Sequence, residues 1–289
     1  MKVRLPFALA RRFVAAETLE GAIPVVQGLH RKGLHVSMDL LGEYIRDRTL
    51  AEKARSLYMD LIDTVADTFR EAGQDTNISI KLSMLGQKID EGFCLDNLRA
   101  LLTRAKARNV FVRLDMEGSD TTASTLNLFE AVYPDYPDHV GVVLQAYLKR
   151  TTQDVARMCE LGARVRLCKG AYKEPADLAW QDMDTIRQQF VALMQQLLLQ
   201  GRYPGIATHD DRLIAATKQF VAAQNLSTDR FEFQMLYGIR PSTQVQLVRE
   251  GYHLRVYVPY GRMWFPYFSR RLRERKENVW FVVSNLLRR

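Results

Sequence analysis

The sequence predicts an α/β protein built as a (β/α)8 TIM-type barrel. Three observations carry this. Eight short apolar runs recur along the 289 residues, at intervals of about thirty residues, the length of one strand-helix unit. Helix-period patterns separate them, and strand-helix alternation repeated eight times argues for parallel strands closed into a barrel. No Gly/Ser/Pro-rich linker divides the chain.

The predicted strands occupy 35–41, 78–83, 110–116, 140–147, 164–168, 205–209, 231–236 and 254–258. Each is a short run rich in branched or aromatic residues. Helical periodicity is clearest over 50–72, 96–108, 154–161 and 212–223. Gly73, Gly162, Gly201 and Gly251 stand where helices want a C-terminal glycine. Residues 1–33 are expected as an N-terminal helical segment and 34–289 as the barrel domain.

The strands themselves point to function. In an ordinary barrel the inward positions are filled mostly by branched apolar side chains. Here Ile78, Ile80 and Leu82 alternate with Ser79, Lys81 and Ser83, and Val112, Leu114 and Met116 alternate with Arg113, Asp115 and Glu117. Gln145 and Tyr147, Arg164 and Arg166, Glu232 and Gln234, and Arg255 and Tyr257 repeat the pattern on later strands. The apolar set must pack on the outer helices, so the polar set is expected to face the barrel interior. Any single pair could be a structural ion pair. Buried charge on this scale is costly, and points to a functional cavity.

Composition narrows the chemistry. An apolar content of 47% describes an ordinary globular protein. Cys94, Cys159 and Cys168 are widely spaced, so a reducing cytoplasm is the default expectation. No run approaches the ~18 apolar residues of a membrane span. A net charge of +8 suits anionic partners, but no nucleic-acid module is recognisable, and no nucleic-acid partner is expected. The sequence has no His-x-His or His-Glu-x-x-His metal set, nucleophile elbow, phosphate-binding P-loop or Gly-x-Gly-x-x-Gly. A lysine inside a barrel can form a Schiff base, so an aldolase using Lys81 or Lys169 competes on spacing alone. A basic nucleic-acid- or membrane-binding protein is a third, non-enzymatic reading.

Near the C-terminus, Tyr267, Arg270, Arg271 and Glu274 fall at i, i+3, i+4 and i+7 of a predicted helix, on one face. Two neighbouring guanidiniums make a bidentate clamp for a carboxylate. Taken alone, with Arg273, Arg275 and Lys276 nearby, the block reads as a basic surface helix. The charged strands reverse that reading.

The motifs together resemble the proline dehydrogenase family. Arg166-Leu167-Cys168-Lys169-Gly170-Ala171-Tyr172 is similar to that family's flavin-contacting fifth-strand motif. The others come in the family's order: Asp39 to Glu43, Lys81-Leu82-Ser83, Leu114 to Gly118, Leu144 to Tyr147, Ala207 to Asp210, Phe231 to Gly238, Arg255 to Gly261 and Tyr267 to Glu274. The chain looks like the short, monofunctional bacterial type, without the DNA-binding arm or aldehyde dehydrogenase of the bifunctional proline-utilisation enzymes.

The resemblance implies FAD-dependent oxidation of L-proline to Δ1-pyrroline-5-carboxylate, with hydride passing from proline C5 to flavin N5 and electrons then to a membrane quinone. It also implies coupling to a separate pyrroline-5-carboxylate dehydrogenase. Arg270, Arg271 and Lys81 would hold the proline carboxylate, with Glu274 aiding orientation. Leu236, Tyr257 and Tyr267 would wall the ring pocket, and Tyr257 would disfavour a 4-hydroxyl. Asp115 and Arg166 would be catalytic, Arg166 beside the flavin ring. Met116, Gln145, Lys169, Gly170, Ala171, Tyr172, Thr208 and His209 would contact the cofactor. Thr208-His209-Asp210 departs from the bifunctional enzymes, which tend to carry Asn after the His. Peripheral contact with the inner face of the cell membrane would suit quinone chemistry. The run 280–283 is a candidate for it, or for a last barrel helix.

Overall fold

A computed structural model of the protein describes residues 7–69 and 74–274. A 3-10 turn (Phe7–Leu9) and helix α1 (Leu19–His30) precede the first strand. Then follow β1 (His35–Leu40), α2 (Arg48–Phe69), β2 (Thr76–Ile80), α3 (Glu91–Arg108), β3 (Val112–Leu114) and α4 (Ser119–Val132). The chain continues through β4 (Val140–Gln145), α5 (Thr151–Leu161), β5 (Arg164–Cys168), α6 (Met183–Gln200), β6 (Gly205–Ala207) and α7 (Asp211–Ala223). It ends with β7 (Glu232–Leu236), α8 (Pro241–Arg249), β8 (Leu254–Tyr260) and α9 (Trp264–Glu274). The eight strands pair in sequence order, all parallel, and β1 closes on β8. The (β/α)8 barrel expected from the alternation is therefore present.

Local chemistry sets the helix ends. Asp90 accepts a hydrogen bond from Phe93 N at 2.7 Å and opens α3, while Asp182 and Asp210 open α6 and α7 in the same way. Gly162 closes α5 in the left-handed conformation, but Asn109 does so for α3. Gly201 is extended, and Gly73 lies outside the described residues.

The period-2 pattern is obeyed. Val36, Met38, Ile78, Ile80, Val112, Leu114, Val165, Leu167, Val256 and Val258 all join one hydrophobic core with the inner faces of the helices. The alternate residues meet one another across the barrel. Arg166 on β5, for example, reaches Ser37 on β1 and Ser79 on β2.

Strand ends differ from the sequence expectation. β2, β3 and β6 stop at Ile80, Leu114 and Ala207, because the chain there bends over the mouth, and Lys81, Asp115 and Thr208 begin the loops. β8 runs on to Tyr260, since β1 pairs with it as far as Leu40 opposite Tyr260. Arg164 is only half-buried, its guanidinium lying 4.3 Å from the Phe111 ring centre and 4.8 Å from that of Tyr203.

Two helices depart from the regular plan. α1 packs on β1 and β8, covering the flank that the helix after β8 would otherwise cover. That helix, α9, packs instead with Leu41, Ile239 and the N-terminal residues Leu9, Ala10, Phe13 and Val14. The close approach needs Gly238, where a Cβ would fall 1.6 Å from Arg12 O. The arrangement brings Tyr267, Arg270 and Arg271 to the barrel mouth.

Candidate active site

At the C-terminal end of the strands lies a cavity of about 1080 Å³, larger than the usual few hundred Å³ of a small-ligand pocket. Its floor is a charged network. Lys81 Nζ donates to Asp39 Oδ1 at 2.6 Å and lies 3.6 Å from Asp115 Oδ2. Asp115 also accepts from Arg166 Nη1 at 2.9 Å and from the Tyr257 hydroxyl at 2.7 Å. Arg166 is braced by Gln234 and by Ser79 Oγ at 3.2 Å. Asp115 thus pairs with Lys81 and Arg166. It does not pair with Arg113, whose guanidinium turns down the barrel to the carbonyls of Val142 and Arg164.

The network sets its own protonation. Burial disfavours charge on Lys81, but Asp39 and Asp115 outweigh it and hold the ammonium well above its ordinary range. Full burial lifts the Asp39 carboxyl to about 6 against the pull of Lys81. Burial and Asp115 push the Tyr257 phenol well up, so it remains a donor. Burial raises the Cys168 thiol to about 11, so this cavity-lining sulfur is no nucleophile at neutral pH. A lysine fixed as an ammonium is equally poor as a Schiff-base nucleophile. Lys169 is no better placed, being paired with Asp210 at 3.1 Å.

Above the floor, α9 contributes Tyr267, Arg270 and Arg271. Arg271 is buried, with its guanidinium 5.3 Å from the Tyr267 ring centre. Arg270 is already engaged: both of its terminal nitrogens donate to the Glu43 carboxylate, one at 3.1 Å. Leu236 completes this part of the wall. Glu274 ends α9, and its side chain lies outside the described residues, as does the run 280–283.

Met116, Gln145, Lys169, Gly170, Ala171, Tyr172, Thr208 and His209, at the ends of β3 to β6 and in the loops after them, all line the same cavity. Gln145 donates to the carbonyls of Met116 and Glu117, each at 3.0 Å, while its Oε1 is buried with no hydrogen-bond partner. Such an acceptor suits a ligand with ring N–H groups. At Gly170 the backbone folds onto Tyr147 (φ +118), and a Cβ would fall 2.3 Å from that ring. His209 Nε2 accepts from Leu236 N at 2.9 Å, which places the ring proton on Nδ1. Asp210 joins Lys169 to Arg187 and caps α7. Against burial, those two cations hold its carboxyl down at about 2. Arg240 donates to His209 O at 2.7 Å. Lys169, Arg187 and Arg240 on the lining of a cavity that also offers the unsatisfied Gln145 acceptor fit a flavin dinucleotide in the chemistry of their donors.

Every site residue expected from the sequence whose side chain is described lines this cavity; that of Glu274 lies outside the described residues. Sequence reasoning missed Glu43, Asp39, Gln234, Arg187 and Arg240 as individual contributors. Asp39 and Glu43 lay inside a recognised motif. Arg187, on α6, carried no local signal.

The fold and cavity define a (β/α)8 barrel with one cation-lined cavity at the C-terminal end of its strands. The family described as Proline dehydrogenase matches residues 22–284. Proline dehydrogenase 1 of Bacillus subtilis strain 168 is 41% identical over 97% of this chain and 91% of its own length. Proline dehydrogenase of Deinococcus radiodurans is 42% identical over 97% of this chain and 90% of its own length. The structure of proline utilization A from Bdellovibrio bacteriovorus inactivated by N-propargylglycine superposes with a TM-score of 0.85 at 25% identity, covering 92% of this chain but only 32% of that one. The chain belongs to the proline dehydrogenase family. Among the described residues no helix is long and apolar enough to cross a membrane.

Proposed function

We propose that this chain oxidises L-proline to Δ1-pyrroline-5-carboxylate with FAD bound in this cavity. The observation that carries the reading is the juxtaposition of two cationic layers, Lys81 with Arg166 below and Arg270 with Arg271 above, on the lining of one cavity of about 1080 Å³. FAD, when bound, would supply a hydride acceptor at N5 and the means of passing electrons to a quinone.

The residues divide the remaining work. Gln145 Oε1 and the backbone near Met116 and Gly170 would hold the flavin ring, and Lys169, Ala171, Tyr172, Thr208 and His209 its ribityl and phosphate portions. Arg166 would stand beside the ring as fixed positive charge, already oriented by Asp115, Gln234 and Ser79. The proline carboxylate would sit between Lys81 and the fork of Arg271. Arg270 would contribute through donors left after its pairing with Glu43, and Glu274 would orient the ligand. Tyr257, Tyr267 and Leu236 would fix the pyrrolidine ring and crowd out a substituent at C4. Clustered cations would favour the neutral amine that C5 oxidation needs. A membrane quinone as acceptor, a cytoplasmic setting with peripheral membrane contact, and delivery of product to a separate pyrroline-5-carboxylate dehydrogenase complete the reading.

The test is a visible absorption spectrum of the purified protein before and after L-proline without oxygen. Flavin bands that bleach with L-proline support the reading. A protein that stays colourless after reconstitution with FAD defeats it.

A further inference from the structure

Asp39 is not among the residues that line the cavity, yet it ties β1 to Lys81 by a hydrogen-bonded ion pair. The carboxylate is fully buried, Oδ1 holds Lys81 Nζ at 2.6 Å, and Oδ2 is buried with no hydrogen-bond partner. Its neighbour Asp115 is differently placed. Asp115 accepts from Arg166 at 2.9 Å and from Tyr257 at 2.7 Å, and meets Lys81 only at 3.6 Å. Lys81 therefore has one tight anion behind it, a looser one at its side and the Tyr257 hydroxyl at 3.4 Å, and it lines the cavity.

We propose that Asp39 is a positioning residue that anchors Lys81 from behind, keeping the ammonium available to the substrate carboxylate and leaving Asp115 to Arg166 and Tyr257. Take the Asp39 charge away and a fully buried ammonium must find another anion. Asp115 is the nearest, and closing that 3.6 Å gap would draw it from its partners. One anion beside two cations would then replace a balanced set of two and two. The damage would appear in proline affinity first, through Lys81, and in turnover second, through Arg166. The inference deepens the proposed function and rests on it for the substrate's identity. The Asp39–Lys81 linkage does not rest on it.

The test uses FAD-loaded enzyme carrying Asp39→Asn, Lys81→Met or both. Asp39→Asn should raise the KM for L-proline about tenfold or more, about 1.4 kcal/mol of lost binding, with a smaller fall in kcat and full flavin content. The double variant should bind proline no worse than Lys81→Met alone, because Asp39 acts through Lys81. Unchanged KM in Asp39→Asn, or a double variant clearly weaker than Lys81→Met, overturns the proposal. Should Asp39→Asn fail to accumulate, the second comparison decides alone, since in Lys81→Met the orphaned carboxyl can take up a proton. If wild-type enzyme does not respond to L-proline, the functional reading has failed. The linkage is then judged by NMR titration of the Lys81 amine, where a lowered pKa in Asp39→Asn supports it and an unmoved one overturns it.

Discussion

Both ends of this barrel bury charge, but only one leaves it with work to do. At the N-terminal end Arg255 is saturated by protein. It donates to both Glu232 oxygens, at 2.7 and 2.9 Å, to Asp75, and to the carbonyl of Val36 at 2.8 Å. His35, Asp75 and Glu232 lie close enough together for a cation, and the Arg255 guanidinium is the cation there. The Arg255–Asp75 attraction outweighs burial and holds the Asp75 carboxyl below its ordinary range. At the C-terminal end the same residue types stand round a cavity, with an unpartnered Gln145 oxygen and Lys81 on its lining. Buried charge by itself is no sign of function. Capacity left for a ligand is.

The comparison can be broken most severely at the closed end. Arg255→Met leaves Glu232 and Asp75 facing each other uncompensated, and should cost about 3–5 kcal/mol of stability. Thermal unfolding checks this, and flavin reduction by proline in the surviving folded fraction should be unimpaired. At the open end the order inverts. Arg166→Met should lower kcat at least about a hundredfold, as loss of a fixed donor to developing charge does, or abolish flavin retention. A wild-type spectrum and rate would remove Arg166 from the site.

A subtler change sharpens the contrast. Arg271→Lys keeps the charge but replaces a fork with a point, and should weaken proline binding by about 1.5–3 kcal/mol while FAD stays bound. An unchanged apparent affinity would take Arg271 out of the substrate site. The smallest effect concerns pH. The folded Asp210 carboxyl sits at about 2 against an ordinary 3.8. Its contribution to stability is therefore present above pH 3.8 and lost as the pH falls through about 2. Asp210→Asn should flatten that part of the acid-unfolding curve by about 1 kcal/mol or less, as for a partly solvated ion pair. An acid limb identical to wild type would show that the Lys169–Asp210–Arg187 cluster adds nothing.

The eight strands and the inward polar set were legible in the primary structure because both rest on short-range periodicity. A strand repeats every second residue, so Arg166 must face the side opposite Leu167 whatever the rest of the chain does. Strand ends at Ile80 and Leu114 were misplaced because the apolar alternation continues through Leu82 and Met116, past the last ladder bond and into the mouth loops.

Which charges pair is a different kind of fact. Arg270 meets Glu43 across 227 positions of sequence, and that meeting depends on α9 lying over the mouth. Asp115 chooses Arg166 and Lys81 over Arg113 because Arg113 lies two residues earlier, on β3, one layer lower, and is turned to the carbonyls of Val142 and Arg164. The sequence by itself determined the barrel, the polar lining and the residue types of the cavity, since these follow from local period and chain order. Only the tertiary structure decided the partners, the burial of Asp39 and the spare capacity of Gln145, because each depends on distances between strands that no local pattern encodes.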